Sequence, residues 1–264
     1  MSYPINYPTP QGANVQIFEL GGSTSDWVKP QGASFVWFTL IGGGGGGGTK
    51  FVDTVIPATK LGGGGASGNV TNFMCPAFLL PDVLQVVVGN GGNGGEYVGE
   101  DFVGTDGTAG VETAIYYQLK ATTGYKLLGA SGGGGGNAAP SGSTNGTGGT
   151  AGATNSGGPM TAAGFYNATR GQNGAAGNVA ITTNNLIYVM GGSGIDTGST
   201  LITGYYGYTA TLEGGYSQLS PIPVSIPSSS TQAGTKAKPQ SYGCGGVGGA
   251  GGRGGDGLAI IVTW

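Results

Sequence analysis

The residues of this sequence that could carry out chemistry are two cysteines, twelve carboxylates and thirteen tyrosines, because the chain has no histidine. Histidine is the usual general base near neutral pH and the commonest metal ligand. A zinc site would have to combine Cys75 and Cys244 with carboxylates, without the Cys-x-x-Cys spacing of structural zinc sites. We therefore expect no enzymatic activity, no metal site and no cofactor.

Five of the carboxylates lie close together, at Glu96, Glu100, Asp101, Asp106 and Glu112. Calcium takes several oxygen ligands, but this spacing fits no EF-hand loop. Two carboxylates can also hydrolyse a glycan, at a separation that the sequence does not fix. The simpler interpretation is a solvated acidic loop, and we adopt it.

The cysteines, Cys75 and Cys244, could form one disulfide. Two free buried thiols are the simpler interpretation, since isolated cysteines commonly pack as small apolar side chains. With only two cysteines in 264 residues, the chain is in neither case a disulfide scaffold.

The tyrosines are the strongest candidates for a binding surface. Tyr205, Tyr206, Tyr208 and Tyr216 lie among threonine, serine and glycine with few charges. Tyrosine on such a background supplies rigid amphipathic contact area, as it does in antibody binding loops. Packing is the equal alternative, because Tyr206 and Tyr208 alternate like one buried face of a strand. For Tyr116 and Tyr117 we favour the core.

The elements that position these residues must be β-strands. Glycine accounts for 62 of 264 residues and charged residues for 8%, and this much glycine disfavours helices. The glycines follow no strict every-third-residue pattern over the chain, so collagen is excluded. The net charge of −3 does not indicate a basic surface that would bind nucleic acid. No apolar stretch approaches the length of a membrane span, and the start lacks the features of a secretory signal.

Short apolar runs alternate with bursts of glycine along the chain, and several runs end directly in glycine, as at Gly42, Gly89, Gly129 and Gly191. The runs that we expect to be strands are residues 14–20, 34–41, 51–56, 83–88, 114–119, 125–128, 185–190, 201–208 and 258–264. The run 34–41 is apolar enough to be buried on both faces. These strands predict an all-β, jelly-roll-like sandwich.

The glycine bursts are expected to pack against one another at one end of this sandwich. Backbones without Cβ atoms can approach closely and join through peptide hydrogen bonds. The alternative is a set of flexible linkers, whose ordering in a compact domain would cost conformational entropy without gaining stabilising contacts. Residues 137–158 contain little to bury, and we expect them to form a mobile exposed loop.

Three stretches match a known pattern. Trp27 and the turn Pro30-Gln31-Gly32 precede an apolar strand that ends at Ile41 and runs into seven glycines. Residues 84–95 form a valine-rich strand with a glycine segment, and the end reads Asp256-Gly257 before the apolar run 258–264. This order resembles the glycine-rich domain of bacteriophage tail fibre and adhesin proteins. The resemblance covers residues 25–264, with 1–24 as a separate N-terminal segment and 196–241 as a tyrosine- and proline-rich insert that does not match.

The resemblance implies a protein of the virion surface, made in the host cytoplasm. We expect a tail fibre or spike-type adhesin that binds a host surface glycan or outer-membrane protein through the insert tyrosines. The alternative is a capsid decoration, head fibre or minor virion protein whose partners are other virion proteins. A non-viral extracellular matrix protein is a third possibility. The usual assembly of such appendages implies a homotrimer, and we expect no nucleic acid or membrane partner.

Overall fold

A computed structural model describes residues 12–49, 51–52, 59–98, 103–117, 125–140, 144–152, 164–169, 171–177, 242–243, 245–246, 248 and 251–264. Within these ranges the regular elements are strands, apart from one 3-10 turn at Ala77–Leu79. The strands are β1 Asn14–Phe18, β2 Thr24–Val28, β3 Phe35–Ile41, β4 Phe51–Val52, β5 Thr59–Lys60, β6 Val70–Pro76, β7 Val83–Val87, β8 Tyr97–Val98, β9 Val103–Gly104, β10 Thr113–Tyr117, β11 Tyr125–Ala130, β12 Phe165–Thr169 and β13 Leu258–Thr263.

The nine longer strands form two antiparallel sheets. One has the order β1-β13-β3-β6-β12 and the other the order β11-β10-β7-β2, while β4-β5 and β8-β9 are two small hairpins. The all-β class expected from the glycine content is therefore confirmed. The sequence did not reveal three of these strands, β2, β6 and β12. In the sheets β6 is an inner strand, whereas β2 and β12 are edge strands.

The two sheets pack face to face over one apolar core. On β3 the side chains of Val36, Phe38 and Leu40 point inwards and are buried, as the twofold alternation of a strand requires. Phe38 meets Trp27 of the opposite sheet edge-on, with 6.1 Å between ring centroids. This packing confirms the sandwich; the jelly-roll connectivity stays a prediction.

The outer face of the five-stranded sheet is also apolar. Ile41, Val70, Leu258, Ile260 and Val262 form a second buried cluster there. The prediction that the run 34–41 is buried on both faces is thus confirmed for most of β3. Its first residue, Phe35, is the exception, because it lies at the end of the strand and stacks on Trp264 with 6.0 Å between centroids.

The glycine segments continue the strands and pack side by side in what we call the glycine lattice. Its described segments are residues 42–49, 62–69, 89–96, 105–112, 131–139, 145–152, 171–177, the described residues 243, 245–246 and 248, and 251–257. In 42–49 the backbone N–H groups donate to three neighbouring segments in rotation, at N···O distances of 2.8–3.2 Å. Every third residue donates to the same neighbour. The segment 62–69 accepts from Gly42, Gly45 and Gly48 through the carbonyl groups of Asn69, Ala66 and Gly63, and the segment 105–112 accepts from Gly43, Gly46 and Thr49 through those of Val111, Thr108 and Thr105. The segment 251–257 accepts from Gly44 and Gly47 through the carbonyl groups of Gly255 and Gly252.

The carbonyl groups of the same segment accept from other segments with the same three-residue rotation. The segment 131–139 donates through Gly133, Gly136 and Ala139 to the carbonyl groups of Gly43, Gly46 and Thr49. The segment 89–96 donates through Gly92 and Gly95 to those of Gly44 and Gly47, and Gly246 donates to that of Gly45. A repeat of three residues per turn in an extended chain is the geometry of the polyproline II helix. Here each helix is hydrogen-bonded to its neighbours instead of to water, so the packed-glycine prediction is confirmed and the linker alternative is wrong for these segments.

The expectation of a mobile loop at 137–158 is wrong for the residues that the structure describes there. Gly149 donates its N–H to the carbonyl oxygen of Gly64, and Gly146 donates to that of Leu61. Residues 145–152 are therefore a lattice segment. The prediction assumed that a segment without apolar side chains has nothing to bury, whereas the lattice buries backbone and not side chains.

Candidate functional site

The molecule has two different ends. The glycine lattice extends from one end of the sandwich, because β3, β7 and β11 each run into an outgoing lattice segment and β6, β10 and β13 each follow a returning one. We call the far end of the lattice the distal end, and the opposite end of the sandwich the base.

Four pairs of outgoing and returning segments have their described ends at the distal end: the outgoing segments reach Thr49, Glu96, Ala139 and Gly248, and the returning segments that follow them in sequence begin near residues 62, 105, 145 and 251. The connections between them are residues 50–61, 97–104, 140–144 and 249–250, and the structure describes only parts of the first three. The hairpins β4-β5 and β8-β9 lie within the first two of these connections. Since connections on a rigid scaffold are where binding residues concentrate, the distal end is the candidate functional site.

Side chains take the place of missing neighbours along the exposed edge of the lattice. Thr105 and Thr108 lie three residues apart and therefore on one side of their segment. The hydroxyl of Thr105 accepts the N–H of Glu96 at 2.8 Å, and the hydroxyl of Thr108 accepts the N–H of Asn93 at 2.7 Å. These contacts pair the peptide N–H groups of two exposed residues, Asn93 and Glu96, where no further glycine segment is available.

Further polar contacts tie neighbouring segments together near the distal end. The Asp106 carboxylate accepts the N–H of Ala138 at 2.6 Å. The side-chain amide of Asn137 donates to the hydroxyl of Thr147 at 2.8 Å. The described residues near this end therefore include hydroxyl, amide and carboxylate groups, which can hydrogen-bond to a polar ligand.

The acidic residues do not form one loop. Glu96 and Asp106 are exposed near the distal end, while Glu100 and Asp101 lie outside the described residues. Glu112 lies instead beside the sandwich, where Lys126 Nζ approaches its carboxylate at 2.8 Å. The expectation of a solvated loop is therefore wrong for Glu112, because β10 begins at the next residue and carries it to the sheet. No cluster of three or more metal-ligating side chains occurs in the described ranges.

The four tyrosines proposed for binding, Tyr205, Tyr206, Tyr208 and Tyr216, lie outside the described residues. The chain enters that stretch after Gly177, which donates its N–H to Gly146 at the distal end. It returns at Tyr242, which packs on the outer cluster of the five-stranded sheet and donates its hydroxyl to Glu19 at 2.7 Å.

Other tyrosines differ from the expectation of core packing. Tyr117 ends β10 and is 43% exposed, and its neighbour Tyr116 is half-buried. The preference for a core position is therefore wrong for Tyr117, because the strand ends there and its cross-strand partner Tyr125 is exposed as well.

Cys75 is a free thiol buried in the core on β6, which confirms the free-thiol alternative for this residue; Cys244 lies outside the described residues. Burial raises the pKa of Cys75 to about 11 by disfavouring the thiolate. Because the thiolate is the reactive form, this cysteine is a packing residue and not a nucleophile.

The comparisons with known proteins agree with this architecture. The model of a family described as a glycine-rich domain matches residues 19–264, which includes the whole lattice and every strand of the two sheets except β1. No curated protein matches the chain. Among the residues that the structure describes, no helix is long and apolar enough to cross a membrane.

Proposed function

We propose that this chain, which belongs to the glycine-rich domain family, is a non-enzymatic virion surface protein of the tail-fibre adhesin kind. Its partners are a host surface glycan or outer-membrane protein at one end and other virion proteins elsewhere, and it works as a homotrimer. The observation that carries the proposal is that the lattice segments which these four connections join all have their ends at the distal end of the glycine lattice.

The lattice supports this role because its cohesion depends on backbone hydrogen bonds. Each residue of 42–49 both donates and, for most positions, accepts within the lattice. Connections at the distal end can therefore change in sequence without removing a side chain from the sandwich core. An adhesin needs this separation between a variable binding surface and an invariant scaffold.

The polar character of the distal end favours a glycan. Its described side chains are mainly threonine and asparagine, with Glu96 and Asp106. Gly177, also at this end, is the last described residue before the stretch 178–241, in which the insert 196–241 holds Tyr205, Tyr206, Tyr208 and Tyr216. Tyrosine rings stack on sugar faces, and neighbouring hydroxyl and amide groups bind the sugar hydroxyls.

The test is alanine substitution at Tyr205, Tyr208 and Tyr216 in turn, with binding of the labelled protein to candidate host cells as the measurement. Leu20→Ala is the control, because Leu20 is exposed at the junction of sandwich and lattice. We expect the tyrosine variants to lose cell binding without a change in melting temperature. Retained binding in all three would contradict the role of these tyrosines.

A second candidate, a capsid decoration, head fibre or minor virion protein, is favoured by the exposed apolar side chains at the base. Phe78 there is 81% exposed, as expected for a surface that contacts another protein. Failed particle assembly or a large loss of stability in the same tyrosine variants would favour this structural role over the adhesin.

A further inference from the structure

The sequence contains four Asn-Gly pairs, and all of them lie in described segments of the glycine lattice. They are Asn90-Gly91, Asn93-Gly94, Asn145-Gly146 and Asn173-Gly174. An asparagine before glycine can lose its side-chain amide without an enzyme, because glycine has no side chain to keep its nitrogen away from the asparagine Cγ atom. The hydrogen bonds of the lattice decide which glycine nitrogens are available for this reaction.

Three of the four glycine nitrogens are held in hydrogen bonds between segments. Their N–H groups donate to the Asp256 carboxylate from Gly91 at 2.8 Å, to the Leu61 carbonyl oxygen from Gly146 at 2.9 Å, and to the Gly149 carbonyl oxygen from Gly174 at 2.9 Å. Each of these nitrogens can attack the preceding side chain only after its own bond has broken. These three pairs therefore react only through local opening of the lattice.

Two of the asparagine side chains are held as well. The Asn145 side-chain oxygen accepts the N–H of Leu61 at 3.1 Å, and the Asn173 side-chain oxygen accepts the N–H of Ala151 at 2.8 Å. Both partners of the reaction are thus fixed in these two pairs.

The pair Asn93-Gly94 is the exception. In the part of the chain that the structure describes, the N–H of Gly94 donates to no group, and the side-chain amide of Asn93 makes no hydrogen bond. Asn93 is exposed. On either side of Gly94, the nitrogens of Gly92 and Gly95 donate to the segment 42–49, so the gap is confined to Gly94.

The three-residue repeat explains why Gly94 has no acceptor. Gly91 and Gly94 both face the segment 251–257, where an added Cβ would overlap the carbonyl oxygens of Gly254 and Gly251 respectively. Asp256 supplies the acceptor for Gly91. Three residues further along the lattice, the equivalent place belongs to Arg253, whose guanidinium group has only donors and lies 2.6 Å from the Asp256 carboxylate.

We propose that Asn93 is a site of spontaneous deamidation and that the lattice protects the asparagines of the other three pairs. The Gly94 nitrogen bonds to Asn93 Cγ while the bond from Cγ to Nδ2 breaks. The proton of the Gly94 nitrogen passes through solvent to the departing nitrogen, which leaves as ammonia. The cyclic imide then adds water and opens to aspartate or isoaspartate. Water is the only co-reactant, and nothing is oxidised or reduced.

The modification changes both the charge and the backbone of the segment 89–96. Aspartate places a negative charge on an exposed residue near the distal end. Isoaspartate adds a methylene group to the main chain at the residue whose N–H and carbonyl groups both pair with Thr108. Because those pairs depend on the three-residue register, isoaspartate should loosen the contact between the segments 89–96 and 105–112.

The test is incubation of the folded full chain at mildly alkaline pH, with mass spectrometry of fragmented peptides to follow each asparagine separately. The same chain in concentrated guanidinium chloride is the reference, because all four pairs are then unprotected. We expect similar rates for the four asparagines in the denatured chain. In the folded chain Asn93 should convert at least about two- to tenfold faster than Asn90, the rate equivalent of one net hydrogen bond.

Two results with the wild-type protein would overturn the proposal. One is conversion of any other pair in the folded chain as fast as that of Asn93. The other is an Asn93 that stays intact in the folded chain for the time in which the denatured chain converts.

Substitutions at Arg253 test the cause. Arg253→Asp offers Gly94 the kind of acceptor that Asp256 offers Gly91, whereas the matched control Arg253→Ala removes the guanidinium group without offering one. Both lose the ion pair with Asp256. We expect Asn93 to convert about two- to tenfold more slowly in the aspartate variant than in the alanine variant. Equal rates would show that the unpaired nitrogen does not select this site.

Asp256→Ala makes the reciprocal test, because it frees the nitrogen of Gly91. Conversion of Asn90 should then accelerate, while Asn145 and Asn173 stay protected. Acceleration at all three would indicate general loosening of the lattice and would contradict protection by the individual hydrogen bond. Far-UV circular dichroism verifies the fold of each variant.

Discussion

The α-carbon of Gly45 faces the carbonyl oxygen of Gly134 so closely that a Cβ atom on Gly45 would overlap that oxygen. The obstacle is backbone of a neighbouring segment and cannot move aside as a flexible side chain can. We therefore expect Gly45→Val to lower the free energy of unfolding by at least about 3 kcal/mol, at the upper end of overpacking effects, as measured by urea denaturation.

Gly134→Val should cost less, because the nearest atom to its added Cβ is the carbonyl oxygen of Thr150 at 2.7 Å. Serine should cost less than valine at both positions, since it adds a smaller side chain. Ala109→Val is the control, because Ala109 is exposed on a lattice segment and should tolerate the change. Wild-type stability in both glycine variants would show that the lattice is not close-packed.

Thr113 joins the sandwich to the lattice. Its buried hydroxyl accepts the N–H of Gly89 at 3.0 Å. Thr113→Val keeps the shape but leaves that N–H without its partner, which should cost about 1–3 kcal/mol. Thermal or urea unfolding checks this, with Thr24→Val on the exposed face of β2 as the control. Equal stability of the two variants would mean that another group pairs with Gly89.

Asp256 connects two segments of the lattice, 89–96 and its own segment 251–257, at the same junction. Its carboxylate accepts the N–H of Gly91 at 2.8 Å and lies 2.6 Å from Arg253 Nη2. Hydrogen bonds to a charged group contribute about 1.5–3 kcal/mol, so we expect Asp256→Ala to lower the melting temperature by several degrees.

Asp82→Ala is the matched control for Asp256→Ala. Asp82 is also ion-paired, but its side chain is 87% exposed, and exposed pairs contribute about 0–1 kcal/mol. A melting temperature lowered equally by both substitutions would assign no special role to Asp256.

Cys75 should resist thiol reagents in the folded protein. Its pKa is raised by burial from 9.0 to about 11, so the folded state holds the proton more tightly than the unfolded state. The corresponding stability is complete below pH 9 and is lost as the pH rises towards 11. Ellman's reagent at pH 8 and unfolding at pH 8 and 10.5 measure the two effects. A Cys75→Ala variant should lose less stability over that pH range than the wild-type protein.

The sandwich core could be predicted where strands are apolar throughout, as in β3, β7 and β13. Of the three strands that the sequence did not reveal, β2 and β6 escaped because polar residues interrupt their apolar ones. β2 buries only Trp27, and β6 contains Asn72 and ends in Pro76. In β6 the alternation of Thr71, Phe73 and Cys75, all buried, is the signal that would have found it.

The lattice segments that lie outside the glycine bursts also carry a signal, which is glycine at every third residue. Gly107 and Gly110 follow this spacing, as do Gly146, Gly149 and Gly152. An added Cβ at Gly107 or Gly110 would overlap the carbonyl oxygen of Gly46 or Gly43. Thr108 and Ala109, which lie between these two glycines, are exposed, so the positions between the glycines of such a segment can carry side chains.

The position of β13 determines when this protein can fold. It is the last strand in sequence, yet it lies inside the five-stranded sheet between β1 and β3, and the segment 251–257 before it pairs with 42–49 in the lattice. Sheet and lattice are thus both completed by the final stretch of the domain. A chain emerging from the ribosome can close neither of them until that stretch is free, and folding is dominated by distant pairings, which form slowly.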